Sequence, residues 1–438
     1  MPRDYAQEAE RHRVKNPRST FGVPACVARP VSRKEMLAAP KAVAAIRSEW
    51  DRLWKRKVWS HDKPVEWSQV AKDACVHGKK VHLGRIFGIC VGKGSELPEN
   101  DTRRKFKYRV VFAGNAVTDE NWQSATFQDL GPSPASQEAG KACDAYGCFP
   151  GHEVQQADAE QAYVQAKLTG TETWIAIPEE GWPDSWFHDG SGRSQPKYKT
   201  PCVRLHYALY GHPDSGTFWE KHCDRALRQQ GFRPVNNWQS CYFHRKLRLF
   251  LTVYVDDFKM SGPSKNMAEG WKLIRRGLQM DDPEPMGLYL GCVHEPFEMD
   301  HPKGGKVRGL RYNMEEYLRS TVTKYVELVR KATGAEPKLS KVPTPFLQED
   351  HSENPAARPC AEGPAIECPW CKHCFPKDSA KPPAPKRAKS KAKTDPEGNT
   401  RKLQPLAASV LMKVMYAARM ARFDLLRAVS RLACFITK

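Results

Sequence analysis

The hydrophobic pattern of the chain is organised around Arg248 to Gly262, reading RLFLTVYVDDFKMSG. Leu249, Leu251, Val253 and Val255 fall on one face of an extended run. Phe250, Thr252 and Tyr254 fall on the other, so both faces read as buried. Asp256 and Asp257 sit where the strand must turn. A second short apolar run, Phe258 to Met260, ends at Gly262. The pattern predicts a hairpin with two adjacent carboxylates at its tip. Burying acids beside such a strand is costly unless a cation compensates. A divalent metal held by oxygen ligands is the usual compensation. A solvated Asp turn fits these few residues as well.

The rest of the chain is read from the same periodicities. Residues 1–40 are polar, basic and Pro-containing, which predicts a flexible segment. Lys41 to Trp59 has helical spacing, and Val81 to Val91 is strand-like. In Arg103 to Gly114, Lys105, Lys107 and Arg109 alternate with Phe106, Tyr108 and Val110, a half-exposed strand with three cations on one face. Gly114 to Gly151 reads as loop-rich. Asp158 follows a short extended run, and Glu172–Ile177 and Cys202–Leu205 read as strands around an exposed loop, Gly181 to Thr200. Thr217 and Glu220 suggest a capping box for a helix that ends at Gly231. Met267–Met280 reads as a further helix, and Asn313 with Glu316 as the cap of another that stops at Gly334. Pro343 to Pro405, rich in Pro, Ala, Lys and Glu, predicts disorder, and Ala407 to Phe435 a helix.

Charge narrows the class. The net charge of +20 over 438 residues favours a polyanionic partner, nucleic acid above all. Fourteen cysteines without a secretory leader predict a reducing intracellular compartment. No apolar run approaches the roughly 20 residues of a membrane span. Cys368, Cys371 and Cys374, with His373 beside them, have the C-x₂-C-x₂-C spacing of half a Zn²⁺ site, its fourth ligand coming from Cys360, His373 or His351. Free thiols account for these residues equally well. Lys386 to Lys393 is either a nuclear-import or nucleic-acid patch or a solvated basic linker. Asp214-Ser215-Gly216 matches the aspartic-protease signature, but it lies between Gly211-His212-Pro213 and a helix, without the flanking apolar strand that chemistry needs.

Three segments, in order, resemble the reverse transcriptase of copia-type LTR retrotransposons. Asp158-x-x-x-Ala162-Tyr163 is similar to that family's motif A and Tyr254-Val255-Asp256-Asp257 to its motif C. Val203 to Trp219, containing Ala208-Leu209-Tyr210-Gly211, is similar to the stretch between them. Met286–Cys292 and Leu411–Phe435 continue the likeness, and Lys107 to Val111 resembles its fingers strand.

The resemblance implies an α+β right-hand polymerase with fingers, palm and thumb, its antiparallel palm sheet backed by helices. Residues 41–150 would be the N-terminal and fingers region, 151–300 the palm and 301–342 thumb-like. The Cys-bearing insert at 343–405 would precede a helical 406–438, truncated before an RNase H segment. It implies that Asp158, Asp256 and Asp257 are catalytic and bind Mg²⁺ or Mn²⁺. Lys107, Arg109, Tyr163, Ser215 and Gly216 would meet the nucleotide, with Tyr163 excluding a ribose 2′-hydroxyl. The family has Pro where Gly216 stands. The implied partners are an RNA template, a DNA primer and deoxynucleoside triphosphates, in a cytoplasmic particle or the nucleus. A catalytically inactive, nucleic-acid-binding relic is the alternative. A two-metal nuclease is disfavoured, because the Asp158–Tyr163 and Leu209-Tyr210-Gly211 contexts serve nucleotide selection.

Overall fold

Residues 26–313 form one compact unit that holds two large sheets, each with its own apolar core, and a smaller third; the chain from Met314 onward belongs to a second unit. The computed structural model describes residues 29–60, 63–93, 104–125, 127, 133–187, 196–339, 365–367, 374–376 and 400–436. The class is α+β. Among the described residues no helix is long and apolar enough to cross a membrane.

The first sheet has six strands in the order Glu284–Pro285, His152–Asp158, Asp257–Pro263, Leu249–Tyr254, Cys241–His244 and Arg233–Pro234, every neighbour antiparallel. Leu249 to Val253 are all buried, as a run apolar on both faces requires. Helices Ser215–Gln229 and Ser264–Arg275 bring Trp219, Cys223, Leu227, Trp271 and Ile274 onto the face that carries Phe258 and Met260. Helix Gln137–Gly147 covers the other, with Cys143 against Phe250 and Cys241.

The second sheet is built on Val81–Lys93, which pairs antiparallel with Lys105–Phe112 and parallel with Glu172–Ala176. Its core is rich in tryptophan: Trp50 on helix Pro40–Lys55, Trp59 and Trp186. Along Lys105–Phe112 the alternation holds, with Tyr108, Val110 and Phe112 buried and Lys105 exposed. A smaller sheet of Leu288–Tyr289, Cys292–Asp300 and Lys306–Asn313 follows. In the second unit, helix Glu315–Thr333 stops where Gly334 adopts φ 73°, and helices Thr400–Met420 and Leu426–Ile436 end the described chain.

Several expectations are corrected. Residues 29–40 are not loose: Arg29–Pro30 pairs with Val91–Gly92, and Ser32 caps a short helix, Arg33–Ala38. The loop-rich stretch before Gly151 contains helix Gln137–Gly147, capped by Ser136; its inward residues are small, which hides the periodicity. Ahead of the strand-like Val81 to Val91, Trp67–Val76 is a helix that buries Trp67, Val70, Ala71 and Ala74. Within 181–200, Trp186 and Phe187 are buried anchors rather than exposed loop. The Ser215–Gln229 helix starts two residues ahead of Thr217, and Glu220 accepts from the Ser133 amide instead of closing a capping box. Asn313 donates to Glu295, leaving Met314 at the helix N-cap. Residues 400–405 are helical, not disordered. Ala365–Glu367 pairs with Cys374–Pro376. Cys360, Cys368, Cys371, His373, His351 and the basic run 386–393 lie outside the described residues.

Candidate active site

The turn predicted at Asp256-Asp257 is a two-residue hairpin loop, with Tyr254 paired to Asp257 and Val255-Asp256 at the tip. Val255 has φ 60°, a backbone region that a β-branched side chain enters only under strain. Its carbonyl accepts from the Trp219 indole at 2.7 Å, which ties the strained tip to helix Ser215–Gln229.

Asp158 ends the neighbouring strand directly opposite Asp257, and the Ala159 amide donates to the Asp256 carbonyl at 2.7 Å. Residues a hundred positions apart in sequence thus present three carboxylates at one end of one sheet. Burial, then the charges of Asp256 and Asp158, push Asp257 up to about 7. Burial raises Asp158 as well; its hydrogen bond with Asp257 and the nearby Lys107 pull it back, while Asp256 and Asp281 add to the rise. Burial and the mutual repulsion of the three carboxylates thus both favour holding a proton at Asp158 and Asp257.

Tyr163 reaches this end because the chain turns sharply after Asp158. Gln161 takes φ 49°, and Ala162–Gln165 forms one 3₁₀ turn. Gln165 fastens the turn, donating to the Glu160 and Gln279 carbonyls at 2.7 and 2.9 Å and accepting from the Gln279 amide at 2.8 Å. The turn brings Tyr163 within the influence of Asp256. The Tyr163 ring meets Tyr210 edge-on at 4.8 Å, and the Arg109 guanidinium lies 4.3 Å from the Tyr210 ring centre. Burial, then Asp256, raises the Tyr163 phenol. An aromatic–cation stack thus runs from the strand Lys105–Phe112 to the acids.

Tyr210 and Asp281 are the site residues that sequence reasoning did not single out. Tyr210 was visible inside the Leu-Tyr-Gly motif. Gly211 is required beside it, since a Cβ there would lie 2.2 Å from the Phe112 carbonyl oxygen. That close approach lets the Phe112 amide donate to the Tyr210 carbonyl at 2.7 Å. Asp281 is exposed, and its amide donates to the Asp158 carbonyl at 2.9 Å; no pattern marked it.

Ser215 and Gly216 are placed differently from expectation. Both are buried, and the Ser215 hydroxyl donates to the Leu209 carbonyl at 2.7 Å and accepts from the Leu209 amide at 3.0 Å. Ser215 thereby holds the loop that carries Tyr210.

Among the described residues no group of three or more His, Cys, Asp or Glu side chains is drawn together as a finished metal cage. The donors at the sheet end are nonetheless all hard carboxylate oxygens, crowded enough to favour holding a proton. That chemistry fits Mg²⁺ or Mn²⁺, which would displace the proton.

No family model and no curated protein matches the chain.

Proposed function

We propose that the chain is an RNA-directed DNA polymerase domain of a retrotransposon, adding deoxynucleotides to a primer 3′-hydroxyl. The observation that carries this reading is the placement of Asp158 opposite Asp257, with Asp256 at the adjoining hairpin tip. Acids on neighbouring strands at one sheet end are what two-metal nucleotidyl transfer requires. Divalent ions held there would lower the pKa of the primer hydroxyl and neutralise charge on the departing pyrophosphate.

The chain's own residues supply the rest. Lys107 and Arg109 offer cations to a triphosphate or template backbone. Tyr163, steadied by Tyr210, presents a ring beside the acids, where it can close against a sugar. In this reading the six-stranded sheet is the palm, the sheet of Lys105–Phe112 the fingers, and helix Glu315–Thr333 part of a thumb. The partners are RNA template, DNA primer and deoxynucleoside triphosphates, and the location an intracellular particle or the nucleus.

The test is primer extension by purified protein on RNA and DNA templates with Mg²⁺ or Mn²⁺. Asp256→Asn should abolish extension while template binding persists. Equal residual activity in wild type and Asp256→Asn would favour the nucleic-acid-binding relic. The Zn²⁺ assignment at Cys368, Cys371, Cys374 and His373 stays a proposal, checked by metal analysis of protein purified under reducing conditions.

A further inference from the structure

Lys259 lies two residues past Asp257 on a central strand of the six-stranded sheet, and only 1% of it is exposed. The run Phe258–Met260 is therefore not the uniformly apolar one the pattern suggests. Phe258 and Met260 enter the core beneath Trp219 and Trp271. Lys259 takes the opposite face, toward helix Gln137–Gly147. A buried ammonium is tolerated only when paired. Asp144, from that helix, accepts from Nζ through both carboxylate oxygens, at 3.0 and 2.9 Å.

The three-stranded sheet completes the surroundings. The Tyr312 hydroxyl donates to Asp144 Oδ2 at 2.9 Å, and His294 Nε2 lies 3.4 Å from Nζ. His294 Nδ1 is 3.1 Å from the Cys292 carbonyl, which can only accept. Nδ1 therefore carries a proton, and Nε2 lies 3.4 Å from both Lys259 Nζ and Asp144 Oδ2. The Tyr289 ring centre is 4.4 Å from Nζ, and the Tyr289 hydroxyl is 3.4 Å from the backbone carbonyl oxygen of Asp257.

Well-packed apolar side chains would fill such a space with equal or greater stability. What hydrogen-bonded charges add is direction: the groups fit in one arrangement only. Among the described residues the three-stranded sheet shares no strand pairing with the six-stranded one. Arg308 donates to the His152 carbonyl at 2.9 Å and Gln156 to the Leu288 carbonyl at 3.3 Å, and the Lys259 cluster adds the buried, charged contact by which that sheet seats behind the acid-tipped hairpin.

We propose that Lys259 and Asp144 are positioning residues, which seat the three-stranded sheet and through it hold Asp257 at the height nucleotidyl transfer needs; this rests on the polymerase reading above. The decisive variant replaces both charges, Lys259→Met with Asp144→Leu, since removing one strands the other. Its affinity for primer–template and its KM for deoxynucleotide should stay within about twofold of wild type, while kcat falls about ten- to a hundredfold. Wild-type kcat in the folded double variant overturns the proposal. Hydrogen exchange gives a readout that needs no turnover. Amides of Asp257 to Met260 and of Tyr289 should exchange faster in the double variant, and those of helix Ser215–Gln229 should not. Unchanged protection at Asp257 to Met260 overturns the proposal even in a protein that extends no primer. Failure of wild type to extend counts against the polymerase reading alone. If the double variant does not fold, Lys259→Arg with Asp144→Glu keeps both charges but shifts their geometry. It should show the same kcat loss and faster exchange, and wild-type values of both overturn the proposal.

Discussion

Asp257 stands directly across the ladder from Asp158, and burial together with the neighbouring carboxylates raises both. The pairing puts a proton where a cation would otherwise have to be. Several properties of the protein depend on which of the two is present.

Without metal, the pairing should make the protein less stable as pH rises. Asp257 is raised from 3.8 to about 7 in the folded state, chiefly by burial. The folded protein therefore keeps a proton that the unfolded chain releases, so stability is full below the unfolded value and is lost as pH rises through the folded one. Asp257→Asn removes the penalty. Discounted for solvent screening, it should stabilise the chelated protein by about 1–2 kcal/mol at about pH 8, and negligibly at about pH 4. Thermal melts of the two proteins across that range check this, and a difference independent of pH would contradict the retained proton.

Divalent cations should compete with the same proton. Mg²⁺ or Mn²⁺ should raise the melting temperature of wild type, and the apparent affinity should weaken as pH falls below about 7. Asp158→Asn should lose most of the metal-induced shift. An equal shift in Asp158→Asn would place the bound ion elsewhere.

Sugar discrimination should depend on Tyr163 and, through it, on Tyr210. Tyr163→Val should raise the ratio of ribonucleotide to deoxynucleotide incorporation about tenfold or more. Tyr210→Ala removes the ring that Tyr163 packs against at 4.8 Å and should give a smaller change in the same direction. An unchanged ratio in a Tyr163→Val protein that still extends with deoxynucleotides would make Tyr163 a packing residue only.

Binding to primer–template should weaken steeply with salt. Lys107→Ala or Arg109→Ala should each flatten the slope of log affinity against log salt by about one unit, if each meets one phosphate. Arg109→Ala also uncovers the Tyr210 ring, so it should lower kcat more than Lys107→Ala does. Identical slopes in wild type and both variants would take the strand Lys105–Phe112 out of the nucleic-acid surface.

Removing one member of the buried pair should be far worse than removing both. Lys259→Met alone leaves Asp144, 2% exposed, without its counter-charge, at a cost of about 3–5 kcal/mol. Denaturant melts of Lys259→Met beside the double variant measure the difference, and equal stability of the two would show that water or His294 compensates Asp144.

What the sequence determined by itself was whatever local periodicity encodes. Leu249 to Val253 had to be a strand buried on both faces, because apolar or β-branched side chains occupy both of its alternating sets. A turn near Asp256 was legible, although the structure sets its tip at Val255-Asp256 and returns Asp257 to the ladder, and the alternation of Lys105 to Arg109 put its cations on one face. The Asp158-to-Tyr163 and Tyr254-to-Asp257 motifs marked the acids without showing that they meet. Only the tertiary structure placed Asp158 across from Asp257, because strand partners a hundred residues apart are chosen by packing rather than by local pattern. It also decided what Ser215 does: the hydroxyl is bound to Leu209, a fact about loop closure that no spacing carries. Lys259 is the sharpest case. Alone in an apolar run it has no local explanation, and its partners come from a helix and two strands elsewhere in the chain. A buried charge is legible only once the counter-charge is in place, since the energy that permits it belongs to the pair.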